Sequence, residues 1–186
     1  MIPRAVLLDR DGVINFDSPD YILTPESWRP IPGSLDAIAR LTGAGIPVAI
    51  VSNQSALGRG MLDAATFEAI VAKMMRAIEA AGGRIAHLAW CPHAPEDDCA
   101  CRKPRPGLVM QALEALGLPA SPEVWFIGDS LRDVQAALAA GVTPALVQTG
   151  YGDAETILAR ARELKPDIRA WPDLAAAVDA LLEGKA

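Results

Sequence analysis

The sequence lacks any long hydrophobic run, although 51% of its 186 residues are hydrophobic. No stretch of about 18 apolar residues occurs, which argues against a transmembrane helix. The first residues lead through a short apolar run to Asp9 and do not resemble a signal peptide, so we expect a cytoplasmic protein. There is also no repeat, low-complexity tract or Gly/Ser linker, and the length suits a single domain over residues 1–186.

An excess of positive charge is also missing. The chain has 17 Lys and Arg against 23 Asp and Glu, which gives a net charge of -6. Because a protein that neutralises many backbone phosphates needs a basic face, we expect no nucleic-acid partner. No interface patch is legible, so we expect a monomer without membrane contact. A small anionic ligand stays open, since local rather than net charge decides its binding.

Cysteine is scarce, and its few positions are clustered. Cys91, Cys99 and Cys101 lie within eleven residues, and His93 stands among them. An odd, clustered set in a cytoplasmic chain favours metal over a disulfide framework. Three thiolates and one imidazole form a complete tetrahedral set without an open position, which predicts a structural zinc site. The alternative is a set of incidental thiols; it is disfavoured because every cysteine is used and a fourth ligand is present.

Short β-rich apolar runs alternate with longer segments of helical period along the chain. This pattern predicts an α/β fold with an open, doubly wound parallel sheet covered by helices on both faces. Ser34, Asp63 and Asp173 are predicted N-caps, and Gly82 and Gly117 are predicted helix ends. The predicted strands are Ala5–Leu8, Pro47–Val51, Ala86–Trp90, Val124–Ile127 and Ala145–Gln148, and the predicted helices are Ser34–Ala44, Ala64–Ala81, Gly107–Leu116, Leu131–Ala140, Glu155–Arg162 and Leu174–Leu182.

Polar residues follow the predicted strands, where ligands bind in open α/β sheets. Asp9 and Asp11 follow the first strand and Asp129 follows the fourth. Such a group of carboxylates is costly without a cation, so we predict magnesium bound by these three residues. Asp9 is placed to attack phosphorus, and Asp11 to protonate the leaving alcohol and then activate water. Taken alone, Asp-x-Asp-Gly could equally be a simple turn.

Four segments in sequence order resemble the motifs of the haloacid dehalogenase superfamily of phosphotransferases. They are Leu8–Val13, Val51–Asn53, Arg102–Pro104, and Gly128–Ser130 with Asp133. The resemblance implies that Ser52 holds the phosphoryl group and that Lys103 neutralises phosphate and orients Asp9. By themselves, Ser52 would be read as a helix cap and Lys103 as a solvated surface charge. The length leaves no room for a large cap domain, so short loops and the zinc-bound loop must recognise the substrate.

The loop with the three cysteines resembles that of a small subgroup with two activities. One removes the C7 phosphate of D-glycero-D-manno-heptose 1,7-bisphosphate, for nucleotide-activated heptose and lipopolysaccharide; the other hydrolyses histidinol phosphate. Several segments resemble the heptose-directed members, so the resemblance implies a sugar bisphosphate substrate. A non-catalytic zinc-containing binding protein is the rival of a different class. Arg59 is either a substrate contact or an exposed charge, and the predicted substrate contacts are Asp17, Tyr21, Asn53, Gln54, Ser55, Arg59 and Arg102.

Overall fold

A six-stranded parallel sheet forms the centre of the protein in a computed structural model that describes residues 2–184. Its strands are β1 (Ala5–Leu8), β2 (Val48–Asn53), β3 (His87–Cys91), β4 (Val124–Gly128), β5 (Thr143–Val147) and β6 (Arg169–Trp171), in the spatial order β3-β2-β1-β4-β5-β6. Its helices are α1 (Ser34–Gly43), α2 (Ser55–Gly58), α3 (Ala64–Ala80), α4 (Gly107–Leu116), α5 (Leu131–Ala140), α6 (Ala154–Leu164) and α7 (Leu174–Leu182), with a 3-10 turn at Pro95–Asp97. Within residues 2–184 no helix has the length and apolar character needed to cross a membrane.

The predicted sheet is confirmed, with one strand added at its edge. β1 has the predicted limits, and the other four predicted strands begin or end within two residues of the expected positions. β6 was missed because only three residues, Arg169–Trp171, form it, and an exposed Arg begins it. So short a run carries no period that a sequence pattern can detect.

The central strand β1 supplies both faces of the sheet with core residues. Val6 and Leu8 face one core, which α1, α3 and α7 cover, whereas Ala5 and Leu7 face the other, which α4 and α5 cover. Since side chains alternate across a strand, a run of four apolar residues that is buried throughout indicates a strand covered on both sides. The helices on the two faces therefore hold β1, and the residues that follow it, rigidly in place.

The six predicted helices have the expected limits to within two residues, but the short helix α2 was not predicted and one predicted cap is wrong. Asp63 and Asp173 are the N-caps of α3 and α7, and each accepts a hydrogen bond from a backbone N–H three residues on. The N-cap predicted at Ser34 is wrong: Gly33 occupies that position, and the Ser34 hydroxyl donates to the carbonyl of Ile14 at 2.7 Å. That hydroxyl is buried and pairs with the loop after β1, a partner that local sequence does not reveal.

The order of the strands decides where the site lies. β1 pairs with β2 on one side and with β4 on the other. The strands that follow β1 in the sequence therefore extend the sheet first on one side of β1 and then on the other. The carboxyl ends of these three strands lie side by side, and such a switch point opens a crevice for a ligand. Asp9, Ser52 and Asp129 stand at these ends. As predicted, no cap domain is inserted after β1: residues 9–33 contain only a loop with isolated bridges.

Candidate active site and metal centres

A buried lysine lies at the centre of the crevice. The ammonium of Lys103 is 2.9 Å from Asp9, 2.7 Å from Asp133 and 3.0 Å from the carbonyl oxygen of Val51. Its three N–H donors are thereby matched by three acceptors. Because only 2% of Lys103 is exposed, the reading of this residue as a surface charge is wrong. The two carboxylates raise the pKa of Lys103 against the opposing effect of burial, so the side chain is a fixed cation.

Three carboxylates, here called the carboxylate cluster, surround this lysine. One oxygen each of Asp9, Asp129 and Asp133 lies within 4.8 Å of the others. Burial, followed by repulsion from Asp133, raises the pKa of Asp129 to about 8. Burial likewise raises the pKa of Asp9 to about 7, although Lys103 acts against it. One lysine cannot balance three ionised carboxylates, so a cation that prefers oxygen ligands would complete the cluster, and a divalent ion fits this donor set.

The carboxylate cluster differs from the predicted magnesium ligands in one member. Asp9 and Asp129 belong to it, Asp133 is its third member, and the side chain of Asp11 lies outside the group, so Asp11 stays a predicted ligand. Asp133 was recognised only as part of the fourth motif. It lies in the first turn of α5, where its carboxylate accepts hydrogen bonds from the backbone N–H and the hydroxyl of Ser130 at 3.1 and 2.6 Å. Ser130 thus orients Asp133 towards Lys103.

The side chain of Asp11 is fixed by four N–H donors. Arg10 donates two hydrogen bonds of 2.9 Å, Asn15 donates one of 2.8 Å and Gln54 one of 2.9 Å. Burial alone would raise the pKa of Asp11, but Arg10, Asn15 and Gln54 outweigh it and hold that pKa below its usual value. Asp11 is therefore ionised in this arrangement, which is the form that a general base requires. The indole N–H of Trp28 donates to Asn15 at 3.0 Å and ties this network to the core.

At the carboxyl end of β2, Asn53 holds the backbone of Lys103. The side-chain amide of Asn53 donates to the backbone carbonyl of Lys103 and accepts from its N–H, each at 3.0 Å. Ser52 is buried as the fifth residue of β2 and is not a helix cap; its hydroxyl oxygen accepts from Gln54 at 2.8 Å. Gln54 consequently links Ser52 to Asp11 from a buried position. These contacts give Gln54 a positioning role, and its role as a substrate contact stays a prediction.

A cleft of about 320 Å³ opens above the carboxylate cluster. Five carboxylates and three cationic side chains line it, so a phosphate can approach only if a bound cation reduces the negative charge. Of the predicted substrate contacts, Asp17, Tyr21, Asn53, Ser55 and Arg102 line the cleft, whereas Gln54 and Arg59 do not. Arg59 instead ends α2 and lies 3.7 Å from Glu96 in an exposed ion pair, as the alternative reading of this residue expected.

Arg132 and Tyr151 are among the cleft residues that the sequence interpretation missed. Arg132, on the first turn of α5, lines the cleft beside Arg102, and its charge acts on Asp17. Tyr151, which is 66% exposed, lies in the loop after β5 and forms another part of the wall. A usable signal existed for both, because each follows the carboxyl end of a strand at the same edge of the sheet. Tyr21, on the loop after β1, has a left-handed backbone with φ 65°, which is uncommon for a residue with a side chain.

The second candidate metal centre is the loop of residues 91–101, here called the zinc loop. The thiol sulfurs of Cys91, Cys99 and Cys101 lie 3.2–3.5 Å apart, and Nδ1 of His93 is 3.3–3.4 Å from two of them. A tetrahedral zinc ion bound at about 2.3 Å separates sulfur ligands by roughly 3.8 Å, so the four donors are nearly in place. The thiols are not disulfide bonded. Burial and the neighbouring thiols raise the pKa of Cys91 to about 12, and a zinc ion would remove this penalty.

The zinc loop also fixes the residues that follow it. The backbone N–H of Arg102 donates to the sulfur of Cys99 at 3.4 Å, and its guanidinium donates to the carbonyl of His93 at 3.3 Å. Arg102 is thereby directed along the loop and into the cleft wall. Lys103 follows Arg102 directly, and its ammonium group contacts Asp9 and Asp133 of the carboxylate cluster.

Comparison with known proteins agrees with this geometry. A family model described as HAD-hydrolase-like matches residues 100–177. The D-glycero-beta-D-manno-heptose-1,7-bisphosphate 7-phosphatase of Pseudomonas aeruginosa is 44% identical over 98% of this chain and 100% of its own, and that of Pseudomonas putida is 49% identical over 81% and 85%. The crystal structure of D,D-heptose 1,7-bisphosphate phosphatase from B. bronchiseptica, complexed with magnesium and phosphate, superimposes with a TM-score of 0.91 at 45% identity, covering 97% of this chain and 99% of that one. The chain therefore belongs to the D-glycero-beta-D-manno-heptose-1,7-bisphosphate 7-phosphatase family of the haloacid dehalogenase-like hydrolases.

Proposed function

We propose that this protein is a magnesium-dependent phosphatase that removes the C7 phosphate of D-glycero-D-manno-heptose 1,7-bisphosphate. The observation that carries the proposal is the carboxylate cluster beside Lys103 at the floor of an open cleft. The B. bronchiseptica enzyme, crystallised with magnesium and phosphate, shares the fold over 97% of this chain. The site would serve the formation of nucleotide-activated heptose for lipopolysaccharide.

Asp9 is the nucleophile in this proposal. Its carboxylate lies at the cleft floor, 2.9 Å from the Lys103 ammonium, and its other contact is the N–H of Arg10 at 2.7 Å. Attack on phosphorus forms an aspartyl-phosphate and expels the C7 oxygen of the sugar. Magnesium, held by Asp9, Asp129 and Asp133, would supply charge neutralisation that lets the phosphate approach these carboxylates. Lys103 lowers the pKa of Asp9 against the larger effect of burial and balances charge on the transferred group.

Asp11 performs the proton transfers. As the ionised base that its four donors favour, it can take a proton from the water that hydrolyses the aspartyl-phosphate. To act as the acid in the first step it must be protonated first. A dianionic phosphate beside it raises the pKa of Asp11 and opposes the effect of Arg10, so substrate binding itself favours the acid form. Ser52 keeps its predicted role of holding the phosphoryl group only if the buried hydroxyl becomes accessible to it.

The far end of a bisphosphate requires a second anion contact. Arg102 and Arg132 both line the cleft, and both also border a neighbouring hollow that extends past the zinc loop. Two guanidinium groups can bind the C1 phosphate with paired hydrogen bonds while the C7 phosphate lies on Lys103. Histidinol phosphate, the alternative substrate, has no second phosphate and would leave these two charges unused. We retain a structural zinc ion, a cytoplasmic monomer and a single domain as further parts of the proposal.

The test compares phosphate release from both anomers of heptose 1,7-bisphosphate with release from histidinol phosphate. We expect the heptose substrate to have the larger specificity constant, and Asp9→Asn to lower turnover by several orders of magnitude. Asp36→Asn is the matched control, since Asp36 is an exposed residue of α1 outside the cleft. Equal or faster turnover of histidinol phosphate would reject the substrate assignment. Activity that survives Asp9→Asn would reject the mechanism and favour a non-catalytic zinc-containing protein.

A further inference from the structure

The loop between β5 and α6, residues 148–153, contacts the site at several points, although only Tyr151 of this loop has been described above. The hydroxyl of Thr149 donates to the backbone carbonyl of Gly12 at 2.6 Å, which joins this loop to the loop after β1. The backbone N–H of Gln148 donates to Trp171 at 3.1 Å and anchors the loop to β6. Tyr151 then reaches the cleft. The loop is thus attached to the loop after β1 at one point and to β6 at another.

The side chain of Asp129 lies in a slot between two glycines of these loops. A Cβ atom on Gly12 would lie 2.5 Å from Oδ2 of Asp129, and one on Gly150 would overlap that oxygen and lie 2.8 Å from Cγ. Within residues 2–184 no hydrogen bond holds the Asp129 carboxylate. Close packing against the two glycines is therefore what determines its orientation.

Gly150 is needed here for space and not for backbone conformation. Its φ lies outside the left-handed region, in contrast to Gly12 at φ 79°. An alanine at position 150 would therefore be acceptable to the backbone, and the atoms nearest to its methyl group would all belong to the side chain of Asp129. That side chain can rotate away into the cleft, so the fold can accommodate the methyl group at the expense of the carboxylate's orientation.

We infer that Gly150 is a positioning residue for the metal: the space beside its Cα holds the Asp129 carboxylate facing Asp9 and Asp133, and Thr149 holds Gly150 against the loop after β1. This inference rests on the proposed function, because it requires a divalent cation at the carboxylate cluster. Loss of an orienting partner of a metal ligand typically weakens metal binding about 10- to 100-fold. Sequence patterns did not reveal Gly150, because a glycine has no side chain that could mark it as a site residue.

The experiment measures Mg²⁺ binding to the zinc-loaded full-length protein by calorimetry, together with the melting temperature without Mg²⁺. Gly150→Ala should raise the Mg²⁺ dissociation constant about 10- to 100-fold and leave the melting temperature nearly unchanged. The Mg²⁺ concentration for half-maximal phosphate release should rise by the same factor. Gly43→Ala is the matched control, because Gly43 ends α1 with an ordinary φ and with no atom within 4 Å of the place where the new methyl group would lie.

A second variant guards against the case in which Gly150→Ala does not fold. Thr149→Val keeps the volume and removes the hydrogen bond to Gly12, and it should raise the Mg²⁺ dissociation constant by a smaller factor. Wild-type affinity in folded Gly150→Ala overturns the inference; if that variant does not fold, wild-type affinity in Thr149→Val does so. If the wild-type protein itself binds no Mg²⁺ and releases no phosphate, the proposed function has failed. If the wild type binds Mg²⁺ and both variants match it, only the role of Gly150 has failed.

Discussion

Replacing Lys103 with methionine tests the electrostatic design of the site most directly. Methionine has a similar length and no charge, so Asp9 and Asp133 lose their shared cation and Val51 loses a donor. At 2.9 and 2.7 Å, each pair contributes about 6 kcal/mol of gross attraction at an effective dielectric constant near 20. The cost of burying the ammonium offsets much of this attraction. Removing one partner of a buried pair typically costs about 3–5 kcal/mol, and that is the loss we expect in the free energy of unfolding.

The loss should depend on pH in a definite direction. In the wild type, Lys103 and Ser130 keep the pKa of Asp133 low despite burial, so this stability is present above the ordinary pKa and is lost as the pH falls. In the variant, the uncompensated carboxylates have a raised pKa, and the folded state gains stability as it takes up protons at lower pH. The first effect acts only below the ordinary pKa of 3.8, so between about pH 7.5 and about pH 5 the second effect alone should reduce the difference between the two proteins.

The assay is urea unfolding of both proteins without added magnesium at about pH 7.5 and about pH 5. Lys165→Met provides the control, since Lys165 forms an exposed ion pair with Asp167 and its loss should leave the midpoint unchanged. A difference in the free energy of unfolding below about 1 kcal/mol at the higher pH would show that the buried ion pairs make no net contribution to stability. An equal difference at both pH values would refute the assignment of the loss to ionised carboxylates.

Three further predictions concern the surroundings of the carboxylate cluster. Metal analysis should find about one zinc per chain, and a chelator should lower the melting temperature because ion binding contributes to folding; zinc-free protein with an unchanged melting temperature would contradict this. Gln54→Leu removes the donor shared by Asp11 and Ser52 and should cost about 1–3 kcal/mol in urea unfolding, and a neutral result would exclude the positioning role of Gln54. Burial, followed by Asp11, raises the pKa of Asp17 to about 6, so the ionised side chain opposes folding above that pH. Asp17→Asn should therefore raise the melting temperature above about pH 6 and not below about pH 4; the reverse trend would contradict the shift.

Most of the sheet could be predicted from the sequence because its strands are buried on both faces. β1 is apolar at every position, and this pattern fixed its limits to the residue. The helices with Asp at the N-cap could also be predicted, because Asp63 and Asp173 accept hydrogen bonds from the first turns of α3 and α7. β6 and the cap at Ser34 could not be predicted, because both depend on partners distant in the chain.

The sequence by itself determined the chemical groups and the sheet edge that carries them: Asp9, Asp11 and Asp129 follow strand ends, and the three cysteines with His93 form a complete ligand set. The tertiary structure decided which of these groups face one another. Lys103 reaches Val51 across 52 positions of the chain, and Arg10 withdraws Asp11 from the cluster that Asp133 joins. The physical reason is that spacing fixes which residues lie on one turn, whereas the direction of a side chain depends on packing and charges from other loops.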